Sequence, residues 1–259
     1  MLVTVASILF GSVEIPFSSL STVFLEGIGV GTGADVALGH RYIITELRVP
    51  RALFALFIGG ALSISGAMMQ GLFRNPLADP GLLGVSSGAA LGAASVIVMG
   101  WTLPLIPGLT LPVAAFIGGI VATGVVMSLS LRAGQASVAN MLLAGIAINA
   151  LCGAATGLLV YVADDDELRT LTFWTMGSLG GSSWADVPYI TGLALLPALI
   201  GLSLGRSVNA LLLGESEARL LGVNVEQLKY LIGVLVCTIL GTSVALTGMI
   251  GFVGLVVPH

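Results

Sequence analysis

The sequence predicts an all-α fold, a polytopic transmembrane helical bundle, and three observations carry that prediction. Hydrophobic residues make up 56% of the 259 residues and charged residues only 8%. That charge content is about a third of a soluble domain's, so the chain lacks the polar surface to face water on all sides. The charged residues also fall in short clusters that leave long charge-free gaps. The gap between Arg51 and Arg74 is 22 residues; as a helix it rises about 33 Å, enough to cross a hydrocarbon core of about 30 Å. The spans should pack as one bundle, so residues 1–259 read as a single transmembrane domain.

A charge at mid-bilayer costs roughly 2.5 to 3.5 kcal/mol, so the gaps measure out the elements in order. Met1 to Phe10 is apolar but about half the length of a crossing, and it lacks the basic leading segment of a signal peptide. Residues 52–73 hold one helix. Residues 80–131 hold two, separated by a turn at Trp101 to Pro112 that contains Pro104, Pro107 and Gly108. Residues 133–163 hold another. After the acidic cluster Asp164 to Glu167, Thr170 to Trp184 is too rich in Gly and Ser to span and reads as an external loop with a short helix. Residues 187–205 and 230–248 supply two more, making six clear crossings. Both ends look incomplete, since the chain stops at Val257-Pro258-His259 just after a Gly-rich apolar stretch. Arg74, Arg132, Arg206, Arg219 and Lys229 fall on one side, with Arg41, Arg48, Arg51 and Arg169 on the other. The positive-inside bias then favours cytoplasmic loops at 74–80, 132–136 and 206–229. Gly88/Gly92, Gly153/Gly157 and Gly177/Gly181 have the G-x-x-x-G spacing that lets helix backbones approach closely.

Several function classes are excluded. A net charge of -4 and a single lysine argue against nucleic-acid binding. There is no G-x-x-x-x-G-K-[ST] loop, no H-E-x-x-H and no C-x-x-C, and the only imidazoles are His40 and His259. The glycine-rich run at 27–33 opens no dinucleotide-binding unit and reads as a flexible loop. Cys152 and Cys237 sit in apolar stretches and read as buried thiols. No His lies inside a span to serve an intramembrane serine protease. No Asp, Glu or His lies centrally in a span to carry a coupled proton. The chain reads as a non-enzyme whose energy comes from elsewhere, with no metal ligands.

Three segments could carry function. In Arg206 to Lys229, Glu215, Glu217, Ala218 and Arg219 favour a short helix with Leu212, Leu213, Leu220 and Leu221 on its apolar side and Gly222 to stop it. Asn224 with Gln227 three residues later resembles a capping signature that restarts a helix. Such a knob either docks into a partner's groove or is a solvated connector. In R-V-P-R, Arg48 and Arg51 place two positive charges side by side, to snorkel to lipid phosphates, the commoner role, or to pair with a partner's carboxylates. Asn75, Pro76, Asp79, Pro80 and Gly81 belong to N-P-L-A-D-P-G-L-L-G, whose irregular backbone must be satisfied by protein or by a water-filled cavity; it reads as a pathway element or as a tight interfacial turn.

Together R-V-P-R (48–51), G-A-L-S-I-S-G-A-M-M-Q (60–70), N-P-L-A-D-P-G-L-L-G-V-S-S-G-A (75–89), L-L-A-G-I-A (142–147), W-T-M-G-S-L (174–179), G-E-S-E-A-R-L-L-G-V-N-V (214–225) and G-F-V-G-L-V-V-P-H (251–259) resemble the FecCD-type permeases. These are the transmembrane subunits of type II, binding-protein-dependent ABC importers of iron(III)-siderophores, haem or vitamin B12. The resemblance implies a ten-span bundle, here truncated at both ends to about seven or eight spans with the C-terminal spans missing. It implies a homodimer, or a pair with a paralogue, in the bacterial cytoplasmic (inner) membrane. Arg48 and Arg51 would then meet glutamates of a periplasmic or lipoprotein substrate-binding protein. Glu215, Glu217, Ala218, Arg219, Leu220 and Gly222 would form the coupling loop that sits on a cytoplasmic ABC ATPase. That ATPase, and not this chain, would hold ATP and Mg. Ser137, Val138, Ala139 and Asn140 fall at the cytoplasmic gate, with Ala136, Val138 and Ala139 less polar than the family pattern. Gly177, Ser178 and Leu179 would belong to the short external helix. The competing class is a secondary transporter or channel-like protein that works without an ATPase.

Overall fold

A computed structural model describes residues 2–11, 13–27, 29–30, 36–104, 107–132, 135–136 and 138–259. Ser137 of the expected gate, and Ile28, Gly31, Thr32 and Gly33 of the glycine-rich run, lie outside the described residues. In chain order the helices are α1 (Leu2–Leu9), α2 (Phe17–Gly27), α3 (Leu38–Tyr42), α4 (Val49–Phe73), α5 (Val85–Met99), α6 (Thr110–Ser130) and α7 (Val138–Val162). They continue as α8 (Asp165–Met176), α9 (Val187–Ile190), α10 (Leu196–Ser203), α11 (Gly205–Leu213), α12 (Glu215–Leu220), α13 (Val225–Thr247) and α14 (Val253–Val256). The one sheet among the described residues is a two-residue antiparallel pair, β1 (Leu131–Arg132) with β2 (Gln135–Ala136). The fold is an all-α polytopic bundle.

Four of these helical runs are long and apolar enough to cross a membrane: Leu38–Phe73, Thr110–Ser130, Val138–Val162 and Val225–Thr247. Val187–Ser203 with Gly205–Leu213, bent by 55°, makes a fifth. The charge gaps predict six. The difference is α5, whose 15 residues rise only about 22 Å. A Cβ on Gly254 would touch both Leu62 O and the Pro80 ring, so the segment after Phe73 folds back alongside α4 to the level of Leu62. Irregular chain thus covers part of the distance that a full helix would otherwise span.

The R-V-P-R border does not start a helix as the charge ruler expects. One helical run continues through it for 36 residues, from Leu38. Pro50 has no N–H and would crowd the carbonyl four residues back; a π-helical segment at Ile43–Arg48 widens the turn ahead of it. There the Val49 N–H donates to Ile44 O, five residues back. The next bond of that pattern would run from residue 50 to Thr45 O, which Pro50 cannot make. The Trp184 indole N–H donates to Thr45 O instead, at 2.8 Å. Pro197 likewise follows a π-helical segment at Thr191–Leu195; the Thr242 hydroxyl, which donates to Thr238 O of its own helix at 2.7 Å, also lies 3.3 Å from Leu193 O, four residues before Pro197. Trp184→Phe is expected to cost about 1 kcal/mol, read as a lower thermal midpoint of the detergent-solubilised protein.

Glycines set the closest crossing. A Cβ on Gly88 would lie 2.4 Å from Gly118 O, and one on Gly118 would lie 2.2 Å from Gly88 O. Four residues on, a Cβ on Gly92 would lie 2.2 Å from Ala114 O, so α5 and α6 run antiparallel in backbone contact. The Gly88/Gly92 spacing does what it predicts. Gly153 and Gly157 have nothing within 4 Å, and Gly177, which ends α8 at φ +66°, meets not a helix but the segment after α13, where a Cβ would lie 2.3 Å from Met249 O. Gly177, Ser178 and Leu179 therefore lie beyond the short external helix, not in it. That helix starts earlier than the glycine-rich stretch, because Asp164 and Glu167 form a reciprocal capping box over Asp165–Met176.

The core is centred on α13, which packs against α4, α5 and α6. Its Ile232, Val236, Ile239 and Ser243 are wholly buried. By contrast α7 sits at the edge, with Met141, Gly145 and Cys152 its buried residues.

Candidate functional site: the two ends of the bundle

At one end, the Asn75–Gly84 turn satisfies its own backbone. Asn75 Oδ1 accepts the Leu77 N–H at 2.9 Å and Asp79 Oδ1 accepts the Gly81 N–H at 2.7 Å. Asn149 Nδ2 of α7 donates to Gly81 O at 3.4 Å. Protein groups thus answer the polar demand that the sequence poses there. Pro80 is buried, Asn75 and Pro76 are exposed, and Asp79 and Gly81 lie between. Three of the quoted motifs meet around this turn. The Gly66 Cα faces Gly254 O with no room for a side chain, Pro80 touches Gly254, and Gln70 Nε2 donates to Leu255 O at 3.1 Å.

The same end carries α11 and α12, since Gly71 in the last turn of α4 packs against Val208. α12 is a six-residue helix between two glycines of positive φ, Gly214 at 129° and Gly222 at 86°. As expected, Gly222 stops it and Asn224 caps the next helix, accepting the Gln227 N–H at 3.1 Å. Its side chains divide sharply. Ala218 is buried, while Leu220 is 89% exposed beside exposed Glu217 and Leu221. Glu215, half-buried, and Arg219, exposed, enter a cluster of ion pairs with α13. Lys229 Nζ lies 2.8 Å from Glu215 Oε2, and Arg219 Nη2 lies 3.0 Å from Glu226 Oε1. Val138, Ala139 and Asn140 of the expected gate form the first turn of α7, and Ala139 is exposed. β2 ends at Ala136, two residues before α7 begins.

At the other end Arg48 and Arg51 part company. The Arg48 guanidinium donates to Ile8 O at 2.7 Å, to Leu9 O at 2.9 Å and to Val13 O. It thus satisfies the free carbonyls that end α1, a helix with no basic residue in its own last turn. Arg51 is exposed and, among the described residues, makes no ion pair. Both line a cleft of about 610 Å³ between α1, α4 and the Leu179–Ser182 loop.

Residues 1–259, the whole chain, match the FecCD transport family. The chain belongs to that family. Among relatives of this FecCD chain, the hemin transport system permease protein HmuU of Yersinia pestis is 48% identical over 229 residues, covering 88% of this chain and 68% of the relative. The cobalamin import system permease protein BtuC of Halobacterium salinarum is 40% identical over 217 residues, covering 84% and 58%. The vitamin B12 import system permease protein BtuC of Vibrio vulnificus is 40% identical over 245 residues, covering 94% and 68%. The chain therefore spans between 58% and 68% of the length of these relatives. A solved structure described as an inward-facing conformation of a metal-chelate type ABC transporter superposes with a TM-score of 0.78 at 32% identity, covering 92% of this chain and 76% of that one.

Sequence reasoning on this FecCD chain missed Lys229 and Trp184. Lys229 is the only lysine of the protein and lies three residues after Glu226, a spacing that places the two on one helix face. That signal was available. Nothing in the sequence near Trp184 tells that its indole serves Thr45, 139 residues away.

Proposed function

We propose that this chain is the permease subunit of a binding-protein-dependent ABC importer that moves a metal chelate, an iron(III)-siderophore, haem or cobalamin, into the cytoplasm. The observation that carries it is α12. A helix between two glycine joints, with an exposed leucine at its tip, suits the groove of a partner, and the chain has no nucleotide loop of its own. In this reading Glu217, Leu220, Leu221 and Gly222 meet the cytoplasmic ATPase, while Glu215, Ala218 and Arg219 hold the helix in place. Arg51 faces the substrate-binding protein outside, and the protein lies in the bacterial inner membrane.

The exposed length of α7 suits a second permease copy or a paralogue, with the path between the two bundles. Ser137, Val138, Ala139 and Asn140 would narrow that path at the cytoplasmic end. A loaded binding protein docks outside, the ATPase moves the coupling loops, and the paired bundles open first to one side and then to the other. A path lined by apolar and small residues encloses a bulky chelate and needs no charged ligands to grip it.

Transport by reconstituted vesicles tests the proposal: uptake should require both the ATPase with ATP and the binding protein. Uptake that proceeds without them would establish the secondary-transporter or channel class instead. Leu220→Asp should reduce co-purification of the ATPase about tenfold, because it places a charge at the centre of an apolar contact. Unchanged complex yield would remove α12 from the interface.

A further inference from the structure

The chain's only lysine is the most deeply buried charge among the described residues, and it stands where α12 meets α13. Lys229 is 1% exposed, with Nζ 2.8 Å from Glu215 Oε2 and 3.7 Å from Glu226 Oε1. Arg219 closes the figure, with Nη2 3.0 Å from Glu226 Oε1 and 4.0 Å from Glu215 Oε2. Cations and carboxylates alternate around a ring of four. Glu215 and Arg219 belong to α12, while Glu226 and Lys229 belong to α13. The two shortest pairs, Lys229 with Glu215 and Arg219 with Glu226, both cross from one helix to the other.

Among the described residues, the ring is the main polar link between α12 and α13. The helix has a glycine of positive φ at each end, where the backbone is least restrained. Among the described residues it also packs on α11, buries the Ala218 methyl and accepts the Val223 N–H at Ala218 O, at 3.0 Å. Burying an ammonium group is costly, and such pairs are retained where they fix one geometry. Past Lys229, α13 runs straight into the core: Gly233 meets Met127 and Gly241 meets Phe116, both on α6.

We propose that this ring makes α12 and the start of α13 one lever, with Lys229 the positioning residue that transmits displacement of α12 into the bundle core. The inference rests on the reading that α12 docks on the ATPase. It adds a route from that contact to the spans: α12 drives α13, and α13 carries α6 with it. Glu215 and Arg219 then act within the permease, through the ring.

The test compares wild type with Lys229→Met, which keeps the apolar stem and removes the charge, and with Lys229→Arg, which keeps the charge. Spin labels at Ser216 and Tyr230, both exposed, report the distance between α12 and α13 in the permease alone and in the assembled transporter with and without ATP. In wild type the distance should be narrow and unchanged by ATP. Lys229→Met should broaden it and cut substrate transported per ATP hydrolysed about tenfold, with basal ATP hydrolysis retained. Lys229→Arg should restore the narrow distance and at least half of the coupling. A Lys229→Met protein with wild-type distance and wild-type coupling overturns the proposal, as does a wild-type distance that changes with ATP. If Lys229→Met fails to assemble with the ATPase, the label distance in the permease alone decides: broadened supports the ring, unchanged overturns it. Failure of wild type itself to assemble would count against the docking reading only, since that distance is still read without the partner.

Discussion

Gly88→Val should lower the stability of the bundle by about 3 kcal/mol or more, a drop of roughly 10 °C in thermal midpoint. Gly153→Val, at the same G-x-x-x-G spacing on α7, should leave the midpoint of the single chain unchanged. The two glycines look alike in sequence and differ in what they meet. At Gly88 the added side chain would occupy the space of Gly118 O and of the Ala122 methyl, 2.5 Å away. Neither is the flexible end of a side chain, so relief requires α5 and α6 to separate. Separation also loosens the contacts at Gly92 and Ala114 one turn further on, because the crossing is continuous. At Gly153 a side chain enters open space, and any loss should be confined to the pairing of two copies. Thermal unfolding of the two variants in one detergent checks the contrast. Equal midpoints would show that backbone proximity does not hold this crossing together.

The same pair of motifs shows how much of the fold is legible in the sequence. Charge gaps place the long apolar helices because burying charge in lipid is expensive regardless of tertiary detail. Local signals hold too, as Gly222 and Asn224 show, because a helix stop or cap depends on a few neighbouring residues. Asp164 and Glu167 carry such a signal as well, hidden in what looks like a mere acidic cluster. What the sequence does not show is whatever depends on a distant partner. Nothing near Gly88 distinguishes it from Gly153, since the difference lies on α6. Nothing near Pro50 tells that the helix passes through it, because the wide turn is held by an indole from another segment. The candidate site divides in the same way. Residue type and spacing pick out the 214–225 loop and the arginine pair. Which of those side chains face outward is set by Glu226 and Lys229, close by on α13 and legible as one helix face, and by the end of α1, which lies 40 residues before Arg48.

The arginine pair gives the second large effect. Arg51→Glu should weaken docking of the substrate-binding protein about tenfold or more at low salt, roughly 1.4 kcal/mol or more. The loss should shrink as ionic strength rises, since an exposed pair is screened within a Debye length of about 10 Å at 0.1 M. Arg48→Ala should leave that salt dependence unaltered and act on the chain itself. Its guanidinium holds Ile8 O, Leu9 O and Val13 O, and hydrogen bonds to a charged donor contribute about 1.5–3 kcal/mol each where they are shielded. Part of the Arg48 site is open to water, so the total loss should stand near 3 kcal/mol and fall on α1 alone. Faster amide exchange over Leu2–Leu9 is the expected signature, with α4 to α13 unaffected. Gly11 marks how closely the clamp fits, because a Cβ there would lie 2.7 Å from Arg48 Nη2. If both substitutions weaken docking equally and neither frees α1, the two arginines act as one patch and the clamp is not what Arg48 is for. If Arg51→Glu leaves docking unchanged at every salt concentration, its charge belongs to the lipid phosphates and the binding protein meets the bundle elsewhere.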